Sequence, residues 1–291
     1  MHKLSVLCTL LTLCLLPATA RTARAERSAM DDTMDRMAEQ HRHDKPTATA
    51  AATTPPAQEV TGEEVVYAQV GGKPVRGYLA RPKGASKGAG ALPGLIVIHE
   101  WWGLNDNVRN MAKRLAGEGY TALAVDLYGG QSADTPDKAQ ALMGAVLKDT
   151  QPAEENLKQA YSFLETRQKA PRIGVIGWCF GGGWSLQTAL LFPEKIDAAV
   201  IYYGHLVTDK AKLAALKMPV LGFFGGKDQS IPVASVRDFE KTLKDLGKSV
   251  EIHIYDDASH AFANPSGGSY NPKAAEDSWK RTTAFFKTHL K

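Results

Sequence analysis

The sequence predicts an α/β fold, a mostly parallel sheet covered by helices on both faces. Three observations carry that reading. Leu95-Ile96-Val97-Ile98 and Val220-Leu221-Gly222-Phe223-Phe224 are short continuous apolar runs without polar alternation, the pattern of strands buried on both sides. Between such runs lie longer stretches of helical periodicity, and the two types alternate to the end of the chain.

The elements follow in order. Val65–Val70 and Val75–Arg81 flank Gly71-Gly72-Lys73-Pro74, which is hairpin punctuation. Leu95–Ile98 is the first covered strand, followed by a helix over Asp106–Glu118 and a strand over Tyr120–Val125. Helices are expected over Asp137–Leu147 and Ala153–Gln168, a strand over Ile173–Ile176 and a helix over Gly182–Leu191. Strands at Ala198–Tyr203 and Val220–Phe224, a helix at Val233–Leu246, a last strand at Glu251–Tyr255 and a closing helix at Pro272–His289 complete one domain over 61–291.

Two segments precede it. Residues 1–25 have the three parts of a secretory signal: basic Lys3, an apolar run from Leu4 to Leu16 too short to span a bilayer, and small residues near Ala20 and Ala25. An exported protein, periplasmic or extracellular and without stable membrane association, is the expectation. Cys8 and Cys14 lie inside the signal, so Cys179 alone would remain and could form no internal disulfide. Residues 26–60 are nearly devoid of Val, Ile, Leu and aromatics and read as a flexible leader. Its His41-Arg42-His43-Asp44 run reads as solvated, with neither metal binding nor chemistry assigned.

The 291 residues are 44% apolar and 23% charged with a net charge of +4, as in an ordinary globular protein. No nucleic-acid footprint is present. The partner expected is a small molecule, and the chain is expected to be a monomer.

Parallel sheets gather their βα loops at the carboxyl ends of the strands, so reactive groups should directly follow strands. The sharpest candidate is Ile176-Gly177-Trp178-Cys179-Phe180-Gly181-Gly182. A strand runs into Gly-x-Cys-x-Gly and then a helix, the nucleophile-elbow pattern with cysteine in place of serine. Side chains two before and two after the apex would collide with neighbouring chain, which calls for Gly177 and Gly181. The helix N-terminus favours thiolate over thiol. A thiol nucleophile needs a base and an orienting acid, and in this fold the acid precedes the histidine. Asp228, after Val220–Phe224, and His260, after Glu251–Tyr255, satisfy that order. His205 also follows a strand but precedes the acid, so it is assigned to the pocket. His99 is read as a packed, hydrogen-bonded residue.

Together with His99-Glu100-Trp101-Trp102-Gly103, Val125-Asp126-Leu127-Tyr128, Gly225-Gly226-Lys227-Asp228 and Ser259-His260-Ala261-Phe262, these motifs make the chain from about Val60 onward resemble the dienelactone hydrolase (carboxymethylenebutenolidase-like) family of the α/β-hydrolase superfamily. The resemblance implies an α/β-hydrolase fold, a Cys179-Asp228-His260 triad and no cofactor or metal. It implies that Glu100 contacts the resting cysteine and helps generate thiolate, and that the N–H groups of Trp101 and Phe180 form the oxyanion hole. Hydrolysis of a carboxylic ester or lactone through a thioester follows. Family members acting on dienelactone hold its carboxylate with two arginines, absent here after Tyr128 and after His260. Trp102, Tyr128, Trp178, His205 and Phe262 are the pocket candidates. The alternatives are a non-catalytic periplasmic binding protein on the same scaffold and a thiol acyltransferase or peptidase.

Overall fold

The computed structural model describes residues 35–42, 44, 46, 54–85 and 91–291. The expected export signal lies outside them. Eight strands form one sheet: β1 (Val60–Val70), β2 (Lys73–Pro82), β3 (Gly94–Ile98), β4 (Thr121–Val125), β5 (Ile173–Trp178), β6 (Ala198–Tyr202), β7 (Val220–Gly225) and β8 (Val250–Tyr255). Their order is β1-β2-β4-β3-β5-β6-β7-β8. The β1–β2 hairpin adds antiparallel to β4, and every remaining pair is parallel.

Burial follows position in the sheet. All residues of β3, β4, β5, β6 and β7 are buried, whereas the edge strands β1 and β8 are largely partly exposed or exposed. Central strands therefore appear in the sequence as unbroken apolar runs and edge strands do not. The helices are a short α1 (35–40), α2 (Asp106–Gly117), α3 (Pro136–Lys148), α4 (Gln151–Ser162), α5 (Phe180–Leu191), a four-residue α6 (Lys210–Leu213), α7 (Val233–Asp245) and α8 (Pro272–Leu290). Starts are chemically marked: Asn105 and Thr135 accept the N–H groups of Val108 and Lys138, and Asn271 accepts that of Ala274 one residue before Pro272. Ala274, Ser278, Thr282, Phe286 and Leu290 place one stripe of α8 on the core. Among the described residues no helix is long and apolar enough to cross a membrane.

Two differences from the sequence reading matter. The helix expected over Ala153–Gln168 ends in a π turn at Phe163–Arg167. More consequentially, the stretch expected to be a flexible leader contains α1, with Met37 and His41 only 5% and 2% exposed. Their contacts lie at the site described next.

The strand order fixes where a site can form. From β3 the chain moves outward to β4, then returns to the other side of β3 to add β5. The carboxyl ends of β3 and β5 therefore flank the topological switch point, where crevices open in such sheets. Ile98 pairs with Gly177, so the register brings the residues after β3 beside the residues after β5.

Candidate active site

The turn after β5 is sterically specified. Cys179 has φ 57° and ψ −118° and sits immediately before α5, in a conformation that costs a side-chain-bearing residue on the order of 1–3 kcal/mol. A Cβ on Gly177 would lie 2.0 Å from the Gly181 carbonyl oxygen, and one on Gly181 would lie 2.4 Å from that of Ile98. Both glycines are thus required by close backbone approach, as the sequence pattern implies. The Cys179 carbonyl accepts the N–H groups of Gly182 and Gly183 at 3.0 and 3.2 Å, while its own N–H is held by the Tyr202 carbonyl at 3.0 Å.

Asp228 and His260 come from loops stitched to one another. Gly226 N–H donates to the Tyr255 carbonyl at 2.8 Å and Lys227 N–H to that of Ala258 at 2.9 Å. One carboxylate oxygen of Asp228 accepts the N–H groups of Ser230 and Ile231 at 2.8 and 2.9 Å. The other takes His260 Nδ1–H at 2.7 Å, both side chains being fully buried. This fixes the tautomer and leaves His260 Nε2, which has no hydrogen-bond partner, on the side of Cys179. The three residues named from the sequence are therefore brought together. Burial pushes the Cys179 thiol up, but the positive charges and polar contacts of His260 and His41 outweigh it and hold it at about 6. Burial pulls His260 down, yet Asp228 and Cys179 raise it well above the usual imidazole range. Each group thus favours the charged form of the other.

Iodoacetamide alkylation of Cys179, followed by mass spectrometry across pH, should therefore lose half its rate near pH 6 and stay flat above pH 7, because thiolate is the reacting form. In His260→Gln the midpoint should move upward, since burial is then less opposed. Midpoints in the ordinary thiol range for both proteins would contradict this mutual stabilisation.

Glu100 is buried beside Cys179. One carboxylate oxygen accepts Asn264 Nδ2–H at 2.5 Å and the other the Tyr203 hydroxyl at 3.4 Å; its hydrogen bonds go to these partners and not to the resting cysteine. Burial, then the nearby Cys179, push its carboxyl up to about 8. Asn264 was not singled out by sequence reasoning. It occupies the neighbourhood where the family's second arginine is expected, and it orients Glu100. The N–H groups of Trp101 and Phe180 find no backbone acceptor among the described residues, which leaves both available as donors.

Of the pocket candidates only His205 faces the cavity beside Cys179. That cavity, of about 240 Å³, is walled by Met37, Met143, Leu147, Phe180, Trp184 and Leu191, with Glu154 and His205 among its polar groups. Trp102, Tyr128 and Phe262 are corrected to packed residues. Trp102 rests edge-on against Trp101 at 5.0 Å and its carbonyl is bonded by Ala133 N–H. Tyr128 donates its hydroxyl to the Trp101 carbonyl at 3.1 Å, and Phe262 is enclosed by Tyr203 and Tyr255. Trp178 packs on Tyr202 and lines a separate cavity with Arg114 and Trp279. An aromatic beside an elbow is as readily core as lining, and sequence spacing does not separate them. His99 is the packed residue expected: Nδ1–H donates to the Glu100 carbonyl at 2.6 Å and Nε2 accepts Leu127 N–H at 3.1 Å.

The leader closes the site. Met37 Sδ lies 3.4 Å from Cys179 Sγ. The His41 ring packs 5.0 Å from Trp101 and 5.5 Å from His260. Asp44 Oδ2 accepts His41 Nδ1–H at 2.7 Å, and Asp44 Oδ1 accepts Gly268 N–H at 3.0 Å. Gln40 takes the Ser230 hydroxyl, and Asp35 takes Gln140 Nε2–H at 3.2 Å. The expectation of a solvated His41-Arg42-His43-Asp44 run is thus overturned for His41. The composition rule failed because the segment needs no core of its own; it packs one thioether and one imidazole against the residues around Cys179.

Comparison with known proteins agrees with this architecture. The sequence profile described as "Dienelactone hydrolase family" matches residues 75–290. Protein usf of Aquifex pyrophilus is 36% identical over 234 residues, covering 78% of this chain and 99% of the relative. A protein of Aquifex aeolicus provisionally named carboxymethylenebutenolidase is 34% identical over 235 residues, covering 78% and 99%. A crystal structure from Klebsiella pneumoniae, provisionally titled a dienelactone hydrolase, superposes with TM-score 0.70 at 30% identity over 79% of this chain and 99% of that one.

Proposed function

The chain belongs to the dienelactone hydrolase family and is a hydrolase of ester or lactone bonds, and from that premise we propose that it is an exported enzyme that cleaves neutral, apolar carboxylic esters or lactones with Cys179 as nucleophile. The observation that supports this best is the convergence of Cys179, His260 and Asp228 at the switch point, beside a cavity whose walls are mostly apolar. Among the described residues its lining holds the Glu154 carboxyl and no lysine or arginine, so an anionic substrate would meet no cation there.

The chemistry is as follows. Cys179 thiolate attacks the carbonyl carbon, and the resulting oxyanion accepts hydrogen bonds from the Trp101 and Phe180 N–H groups. As the carbon–oxygen bond breaks, His260 Nε2–H protonates the departing alkoxide and a thioester remains. Water then gives a proton to His260 and attacks the thioester, and thiolate leaves. Asp228 holds the imidazole in the required tautomer and stabilises its cation. For a lactone the alcohol and acid stay in one molecule.

The test is turnover of a short-chain phenyl ester and of a small neutral lactone by the purified protein, compared with an anionic lactone. Neutral substrates should be hydrolysed and the anionic one disfavoured. Failure of all three, by the whole chain and by a chain beginning at residue 54, would overturn the reading. The shorter chain lacks Met37 and His41, which cover Cys179. Its kcat/KM for the phenyl ester should rise by about 10-fold, the factor by which a mostly closed state dilutes the competent one.

A further inference from the structure

We propose that the leader and the catalytic loops together form a binding site for one soft transition-metal ion, best matched by copper(I), held by Cys179 Sγ, His260 Nε2 and His41 Nε2 with Met37 Sδ as fourth donor. A cysteine sulfur and two imidazole nitrogens lie within 4.8 Å of one another in a buried cluster. A fourth soft donor, the Met37 thioether, is 3.4 Å from the cysteine sulfur. Around a tetrahedral ion, ligand nitrogen and sulfur atoms are separated by roughly 3.6 Å, so the donors need close by only about 1 Å.

Two independent features point to a ligand. Both histidines turn a buried Nε2 toward the Cys179 sulfur, and neither Nε2 has another partner among the described residues. Both also give Nδ1–H to a carboxylate at 2.7 Å, His260 to Asp228 and His41 to Asp44. A carboxylate on the remote nitrogen is the arrangement that fixes the ring and raises the basicity of a metal-binding imidazole. Catalysis accounts for the first of these pairs and has no use for the second.

The donor set selects the ion. No carboxylate joins the cluster among the described residues, which disfavours magnesium and calcium. Two imidazoles with thiolate and thioether suit copper, and a thioether is a soft ligand. The consequence for catalysis rests on the proposed role of Cys179. A metal on its sulfur occupies the attacking electron pair and ties the leader across the cavity, so the loaded protein is held inactive until the ion is withdrawn.

The experiment reads binding and activity separately. The whole chain, reduced and anaerobic, is titrated with copper(I) against a chromophoric copper(I) chelator, and cobalt(II) serves as an optical probe of thiolate ligation. One equivalent per chain is expected, with a sulfur-to-cobalt charge-transfer band that disappears in Cys179→Ser. His41→Ala should weaken copper(I) binding by about 100-fold, and Asp44→Asn by about 10-fold, in metal-free proteins that still melt cooperatively. Binding that is equally tight in His41→Ala, or retained in Cys179→Ser through other leader residues such as Met30, Met34 or His43, would overturn the proposal, as would the lack of a stoichiometric end point. Because these readouts require no turnover, a protein that binds copper(I) but hydrolyses nothing refutes the enzymatic reading alone.

Discussion

Replacing Cys179 with alanine should lower kcat/KM for a phenyl ester by at least about 10⁴-fold, because the proposed covalent route begins at its sulfur. The residual rate would come from the Trp101 and Phe180 N–H groups and from binding, which survive the change. Cys179→Ser should lie between. His260 remains paired to Asp228 at 2.7 Å and can draw a proton from a hydroxyl, but no preformed thiolate is present. Alanine removes one buried sulfur and should cost the fold only about 1 kcal/mol, so a cooperative melt near the wild-type temperature separates lost chemistry from lost structure. Equal turnover by the two proteins would eliminate the nucleophile. A mass adduct that accumulates on Cys179 of the wild type during ester turnover, and is missing from the Cys179→Ala protein, would locate the thioester directly.

The parts of this molecule that were legible in the sequence are those governed by local rules. Buried central strands show as apolar runs, and β3, β5, β6 and β7 lie where those runs place them. The elbow was legible because a backbone collision dictates glycine on both sides of Cys179, and the distances at Gly177 and Gly181 are that collision. Asp228 and His260 were legible because a parallel sheet gathers its βα loops at the strand ends, and the order of acid before histidine is the one the family resemblance implies. What escaped depends on surfaces meeting across long separations. Asn264 binds Glu100 from 164 residues away, and no spacing announces such a pair. The leader escaped for a related reason: low hydrophobicity says that a segment cannot build its own core, not that it cannot dock on another. Met37 reaches Cys179 across 142 residues and Gln40 reaches Ser230 across 190. The aromatic candidates erred in the opposite direction, since Trp102, Tyr128 and Phe262 are large, apolar and near the site, yet their rings serve the packing beneath it.

The second large effect is expected at Gly177. An added methyl would stand 2.0 Å from the Gly181 carbonyl oxygen and 2.3 Å from its carbon, atoms of the backbone that cannot rotate away. The turn must open, and opening it moves the start of α5, which packs beneath β3 and β6. Gly177→Ala should therefore destabilise the protein by more than about 4 kcal/mol, in the class of overpacked cores, and lower its melting temperature by about 10 °C or more. The informative control lies further along the same turn and helix. At Gly183 the nearest atom to an added Cβ is 3.4 Å away and its φ is not positive, while α5 continues to Leu191. Gly183→Ala should be neutral or stabilising by up to about 1 kcal/mol through helix propensity. Thermal denaturation of the two variants side by side distinguishes a glycine imposed by the elbow from one that merely lies in a glycine-rich run. If Gly177→Ala melted like Gly183→Ala, the tight turn that presents Cys179 would not be the conformation the protein holds in solution, and the reach of His260 to the sulfur would have to be explained without it.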